Sequence, residues 1–208
     1  MIINKGLIEP IFAIPMYRNI LSTSLTKEQI AFIEKNKKDV FKNEGNTFTK
    51  DTDILEHKVF KNLKKELNEM LKEYYEIVLH CTSNIKPYIT QSWLNYTEDK
   101  QYHHKHEHPN SIISAVVYLN AGQDSDEISF YKKRDSSFEF DASEFTIYNS
   151  GSMGVPVQTG HVVMFPSEVT HMVRTKSRDH TRISLAFNTF FRGNAALEPH
   201  SLKRLIIK

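Results

Sequence analysis

The run Tyr102-His103-His104-Lys105-His106-Glu107-His108-Pro109 places four of the chain's ten histidines within six residues. Imidazole nitrogen is a common ligand for divalent first-row metals, so this run has metal chemistry within reach. In extended backbone the side chains alternate between faces, so His104, His106 and His108 are expected to project together, with His103 and Glu107 pointing the other way. Two imidazoles two residues apart on a strand grip one side of an ion, and a third ligand must come from elsewhere. On its own such a hexamer reads better as a solvated basic loop. The downstream sequence shifts the balance. A glycine turn at Gly160 feeds an apolar strand that stops at Phe165-Pro166, and a lone histidine, His171, follows. Eleven residues on, Arg182 opens a strand that is otherwise apolar (Ile183, Leu185, Ala186, Phe187), with Ser184 on the same face. Burying an arginine there requires an anion, and its planar fork meets a carboxylate through two hydrogen bonds.

Those residues need a β scaffold, and the pattern after Pro87 supplies one. Segments rich in Val, Ile, Tyr, Phe and Thr predict strands at Tyr88–Tyr96, Ser111–Asn120, Glu127–Tyr131, Glu144–Tyr148, His161–Phe165 and Arg182–Phe191. Several short strands in succession suggest a sandwich or barrel. Ala121–Gly160 is the most loop-like stretch. Before residue 88 the pattern is helical. Thr26 and Gln29 have capping-box spacing ahead of Ile30, Phe32 and Ile33. A longer helix is predicted from Ile54 to Leu79, with Asp53 as N-cap, Glu56 at the third position and an apolar stripe through Leu63, Leu67, Met70, Leu71 and Tyr74. The helices are expected to pack on one outer face of the β core. The expected organisation is one domain over 1–208: a helical N-terminal elaboration (1–87), the β core (88–193) and a tail (194–208). Leu205-Ile-Ile207 in that tail can add a strand to this chain or to a partner.

Composition excludes some classes. At 208 residues one well-buried core is expected. A net charge of +2 gives no bulk attraction to nucleic acid or anionic membrane. Lys132-Lys133-Arg134 is too short for a nucleic-acid groove, and Arg174, Lys176 and Arg178 read as a solvated connection. The single cysteine, Cys81, rules out an internal disulfide framework and suits a cytoplasmic setting. The Met1–Ile20 segment is broken by Glu9, Pro10 and Pro15, so neither a signal sequence nor a membrane span is expected.

Five pieces occur in order: Trp93-Leu-Asn-Tyr96, His106-x-His108-Pro109, Val117-Tyr-Leu-Asn120, Phe165-Pro-Ser-x-x-x-His171 and Arg182-x-Ser184. This set resembles the 2-oxoglutarate/iron(II)-dependent oxygenases. More narrowly, it resembles an oxygenase group of bacteria and phages with a His-x-His-Pro-x-Ser motif. The resemblance spans about Gln91 to Phe191. It implies a mainly β protein with N-terminal helices and a double-stranded β-helix (jelly-roll, cupin-like) core that uses Fe(II) and 2-oxoglutarate. It assigns His106 and His108 as paired metal ligands and His171 as the distal one. Family members usually carry Asp or Glu where His108 stands. Glu107 points away from that face, which leaves a different metal, or His104 as the partner of His106, as alternatives. The resemblance further implies that Arg182 and Ser184, with Tyr118, bind the far carboxylate of 2-oxoglutarate. Tyr96 and Asn95 would touch the cosubstrate or its water, and His104 and Asn188 would stand around the metal.

The implied reaction couples O2 activation to decarboxylation of 2-oxoglutarate to succinate, with hydroxylation of a protein side chain, nucleobase or small molecule in a bacterial or infected host cytoplasm. Two other readings fit part of the pattern. One is a three-His dioxygenase or cupin-like enzyme that does not use 2-oxoglutarate. The other is an inactive metal-binding β-sandwich.

Overall fold

The structure is a computed structural model that describes residues 10–81, 84–133, 141–175, 177, 179–195 and 205–207; Arg134, Lys176 and Arg178 lie outside these. The strands are β1 Tyr17–Ile20, β2 Val40–Lys42, β3 Thr47–Thr49, β4 Lys86–Thr97, β5 His103–His106, β6 Ile113–Asn120, β7 Glu127–Tyr131, β8 Ser152–Pro156, β9 His161–Pro166, β10 His171–Val173, β11 Arg182–Asn194 and β12 Ile206–Ile207. The helices are α1 Lys27–Asn36 and α2 Lys61–Ile77. The large sheet runs β1-β9-β6-β11-β4-β3-β2, with β12 also paired to β11, and the small sheet runs β5-β10-β7-β8. All these pairings are antiparallel.

Alternation along the central strands splits the interior into two layers. Leu94 and Tyr96 on β4, Ile113, Ala115 and Val117 on β6, and Leu185 and Phe187 on β11 pack on the helix side against Leu67, Leu71 and Tyr74 of α2. On the other face Tyr118, Val163 and Phe165 meet Ile128 and Val155 of the small sheet. The metal-type and charged residues fall on this second face, between the sheets.

Local expectations hold in part. α1 forms as expected: the Gln29 amide donates to Thr26 Oγ1 at 3.2 Å and the Thr26 amide to Gln29 Oε1 at 2.9 Å. Only Ile33 of its apolar group is fully buried, while Ile30 is exposed. The helix predicted from Ile54 instead starts at Lys61. Residues 54–60 form two single 3-10 turns broken by extended His57 (φ −67°, ψ 138°), and Asp53 caps neither. Tethers to β4 explain this, because the Ser92 amide donates to the Thr52 carbonyl and the Leu55 amide to Ser92 Oγ.

Glu144–Tyr148, predicted as a strand, is turn and irregular backbone with Phe145 and Ile147 exposed. Its apolar residues have no sheet face to cover. The strand lies later, at β8, inside the stretch that reads as loop. Leu205-Ile-Ile207 adds to its own chain, through β12 on β11. Gly160 (φ +90°) makes the expected turn, its amide donating to the Tyr118 carbonyl at 2.8 Å. No helix among the described residues is long and apolar enough to cross a membrane.

Candidate functional site

One cavity lies between the sheets. The large sheet contributes Trp93 and Asn95 from β4, Ser114 from β6, and Arg182, Ser184 and Asn188 from β11; the small sheet and its flank contribute His103, His106, His108 and His171. Arg182, Ser184 and Asn188 are all even-numbered, as alternation demands. The register Ser184↔Asn95 and Ser184↔Tyr118 brings the neighbouring strands alongside.

His106 and His171 are paired directly across β5 and β10. One ligand nitrogen from each of His106, His108 and His171 lies within 4.8 Å of the others, and His108 Nε2 is 3.3 Å from His171 Nε2. His106 Nδ1 is 2.7 Å from the His104 carbonyl, and His171 Nδ1 is 3.0 Å from the Val169 carbonyl. A carbonyl only accepts, so each Nδ1 carries the proton and each Nε2 is left bare. Burial, reinforced by the other imidazoles, depresses the pKa of His171 to about 3 and of His108 to about 4. Burial also lowers that of His106. Neutral imidazoles with converging bare nitrogens form a donor set for a divalent first-row metal, and backbone carbonyls orient two of the rings from behind. The residues fit the metal.

His103, His104 and His106 form a second close group. It shares His106 with the first, and the His106 Nδ1–H is already committed to the His104 carbonyl. One ion therefore has room, and the set including buried His171 is better oriented for it. His103 corrects the alternation expected from sequence. β5 has an extra residue where His171↔His106 gives way to Val173↔His103, so residues three apart share a side. The His103 ring stacks on His106 at 4.4 Å, and its Nε2 contacts Asn43 Nδ2 at 3.1 Å. His104 is not in the first group, and its Nδ1 is buried without a partner. Glu107 is exposed and accepts from Thr170 Oγ1, away from the cluster.

At the other end of the cavity Arg182 is 2 % exposed. Its Nη1 donates to the Glu127 carbonyl at 2.9 Å, and its guanidinium lies over the Tyr118 ring, 5.1 Å from the centroid. The Tyr118 hydroxyl and Asn95 Oδ1 are buried without hydrogen-bond partners among the described residues. A buried cation over the Tyr118 ring, in a cavity that Asn95 also lines, fits one end of a dicarboxylate. The cavity itself is about 30 Å3, room for roughly one water. Side chains must part to admit a five-carbon diacid.

Tyr96 does not belong to this end. It sits on the helix-side face of β4 and its hydroxyl donates to the Ile33 carbonyl at 2.8 Å. Odd and even positions of β4 serve different layers, so Asn95 faces the cavity and Tyr96 the core. Asp126 and His180 have no counterpart in the sequence reading. The Asp126 carboxylate is fully buried, accepts from the Gly122 amide and contacts His180 Nε2 at 2.8 Å; it stands 4.0 Å from Arg182 Nη1. The only sequence signal is an acidic turn, Asp124-Ser-Asp-Glu127.

Residues 91–188 match the family model described as "Putative 2OG-Fe(II) oxygenase". This segment belongs to the 2OG-Fe(II) oxygenases. No curated protein matches the chain by sequence. Solved structures agree on the fold. A Pseudomonas putida prolyl-4-hydroxylase matches at 15% identity and TM-score 0.57, covering 86% of this chain and 93% of that one. HygX from Streptomyces hygroscopicus, with nickel, 2-oxoglutarate and hygromycin B bound, matches at 12% and 0.58 over 85% and 82%. A Trichoplax adhaerens prolyl hydroxylase in complex with a hypoxia inducible factor peptide fragment matches at 12% and 0.59 over 85% and 82%. The two facing antiparallel sheets are the jelly roll of these oxygenases, and the matched segment contains every residue that lines the cavity.

Proposed function

We propose that this oxygenase is a hydroxylase in which His106, His108 and His171 hold Fe(II), and Arg182, with Ser184 and Tyr118, holds the far carboxylate of 2-oxoglutarate. One observation carries the reading: a buried, converging histidine trio and a 2 % exposed arginine line the same cavity. Bound Fe(II) supplies the redox chemistry that couples O2 reduction to conversion of 2-oxoglutarate to succinate and CO2 and to oxidation of the substrate. The protein's own part is placement. The three imidazoles stay neutral because they are buried. The Arg182 fork fixes one end of the cosubstrate, with the Tyr118 hydroxyl and Asn95 Oδ1 offering the unused hydrogen-bonding capacity beside it. Trp93, Ile128 and Ala186 keep part of the cavity wall apolar.

The ligand set has no carboxylate, which is the feature favouring a three-His enzyme without 2-oxoglutarate or an inactive metal binder. The buried Arg182 on the wall of the same cavity is the feature that favours 2-oxoglutarate over both. The chain is read as one domain, since β1, β2 and β3 complete the sheet that carries the site. Lone Cys81 is compatible with a cytoplasmic setting. The prime substrate is a protein side chain, a nucleobase or a small molecule.

Succinate release tests the function. Incubation with Fe(II), 2-oxoglutarate and O2 should yield succinate even without prime substrate, and His171→Ala should abolish it. No succinate from the wild-type protein under any substrate condition would favour the alternatives.

A further inference from the structure

Behind His108 lies a row of buried polar side chains. Asn188 Nδ2 stands 3.5 Å from His108 Nδ1, and Asn188 Oδ1 stands 2.8 Å from Ser114 Oγ, which donates to it in this amide orientation. Ser114 Oγ is 2.8 Å from Ser167 Oγ, which is 2.8 Å from Ser111 Oγ. Ser111 Oγ in turn reaches the carbonyls of Ile113 and Thr189 at 3.1 and 3.2 Å. Asn188, Ser114 and Ser167 are 4 %, 2 % and 0 % exposed, so water does not supply the missing protons.

The Ser167→Ser111 geometry, followed by a count of protons, gives the direction of the remaining bonds. Each serine has one hydrogen to give. Carbonyls only accept, so the Ser111 proton goes to Ile113 or Thr189. The Ser167 proton goes to Ser111, where the geometry makes Ser167 the donor. The Ser114 proton must then fill the 2.8 Å contact to Ser167. Nothing is left for the contact between Ser114 and Asn188 unless Asn188 donates. The two ends of an Asn amide are assigned from such networks rather than seen directly, and this network requires the NH2 group to face Ser114. The Asn188 Oδ1 then faces His108 Nδ1 and accepts its proton. His108 is left with a bare Nε2, the same state that backbone carbonyls impose on His106 and His171.

We infer that Asn188, oriented by the Ser111–Ser167–Ser114 hydroxyl chain, is the positioning residue that holds His108 as the Nδ1–H tautomer, with Nε2 free for the metal. The inference rests on the three-His reading of the site, but the tautomer is measurable with no metal present. His108 lacks the backbone carbonyl that serves the other two ligands, and a side-chain amide takes its place. A carboxylate at this ligand position would have no tautomer to control, so the hydroxyl chain answers a need specific to histidine.

Two measurements test it. Long-range 1H–15N spectra of the metal-free protein at neutral pH, with the His108 signal assigned by its absence in His108→Ala, should show the Nδ1–H form. In Ser167→Ala the Ser114 proton is released to Asn188 Oδ1, the amide turns, and His108 should shift toward Nε2–H although neither His108 nor Asn188 has changed. Anaerobic titration with Co(II) should show metal affinity about ten- to a hundred-fold weaker in Asn188→Leu. Asn188→Asp, whose carboxylate can only accept, should bind at least as tightly as wild type. Nε2–H His108 in the wild-type protein, or wild-type affinity in a folded Asn188→Leu, overturns the inference. A wild-type protein that takes up no Co(II) while His108 is Nδ1–H would instead sink the metal reading and leave the tautomer assignment standing.

Discussion

In the proposed trio of His106, His108 and His171 no ligand carries a negative charge, and more of the site's electrostatics then falls on Arg182. Its guanidinium is buried with one backbone hydrogen bond, a carboxylate 4.0 Å away and an unpaired tyrosine hydroxyl beside it. Arg182→Ala should weaken 2-oxoglutarate binding by about 2–5 kcal/mol, the cost of leaving a buried charge partner unpaired. That is roughly thirty-fold or more in affinity. Calorimetry in the presence of Mn(II) reads it, with metal affinity itself almost unchanged. Arg182→Lys should recover only part, because an ammonium lacks the fork. A change below about two-fold, as for an exposed ion pair, would remove Arg182 from the cosubstrate site. This residue was legible in the sequence because a cation opening an apolar strand is costly without an anion. The Asp126–His180 contact behind it was not, since its partners are distant in sequence and each sits in a polar turn.

At the level of elements, period-two alternation carried most of the site. It separates Asn95 from Tyr96, and it aligns Arg182, Ser184 and Asn188 on the cavity side of β11. Alternation failed where the strand itself is irregular: the extra residue in β5 turns His103 toward His106, and composition does not announce a bulge. The helical period failed in its turn at residues 54–60, where bonds to Ser92 outweigh the apolar pattern.

The connection from β10 to β11 shows another contact that composition conceals. His180 reaches back to the fully buried Asp126 carboxylate near β7, tying that connection to the loop before β7. The hydrogen bond to Asp179 raises the His180 pKa, with Asp126 adding to it and burial opposing. A histidine whose folded pKa is raised contributes stability fully present below its unfolded value of about 6.5 and lost as pH rises through the folded pKa. Denaturant unfolding should therefore show His180→Ala less stable than wild type by a margin that is largest below about pH 6.5 and shrinks in mildly alkaline buffer. A margin that grows with pH would mean His180 is neutral in the folded protein.

For the molecule as a whole, the fold class was readable because ordered motifs and short strands pointed to the same jelly roll. The three small strands of the N-terminal half were not readable, being three or four residues each and stabilised by pairing with β9 and β4 rather than by their own pattern. The completed double sheet places a metal-type trio and a buried arginine at two ends of one space, and the central claim is that a single 2-oxoglutarate molecule joins them. Anaerobic absorption spectroscopy tests this most directly, because chelation of Fe(II) by an α-keto acid produces a visible charge-transfer band that neither component gives alone. Wild-type protein should develop the band on adding 2-oxoglutarate to the Fe(II)-loaded form. His171→Ala should show none at any concentration, and Arg182→Ala should reach the same band only at much higher 2-oxoglutarate. No band in the wild-type protein, or identical midpoints in wild type and Arg182→Ala, would contradict the account.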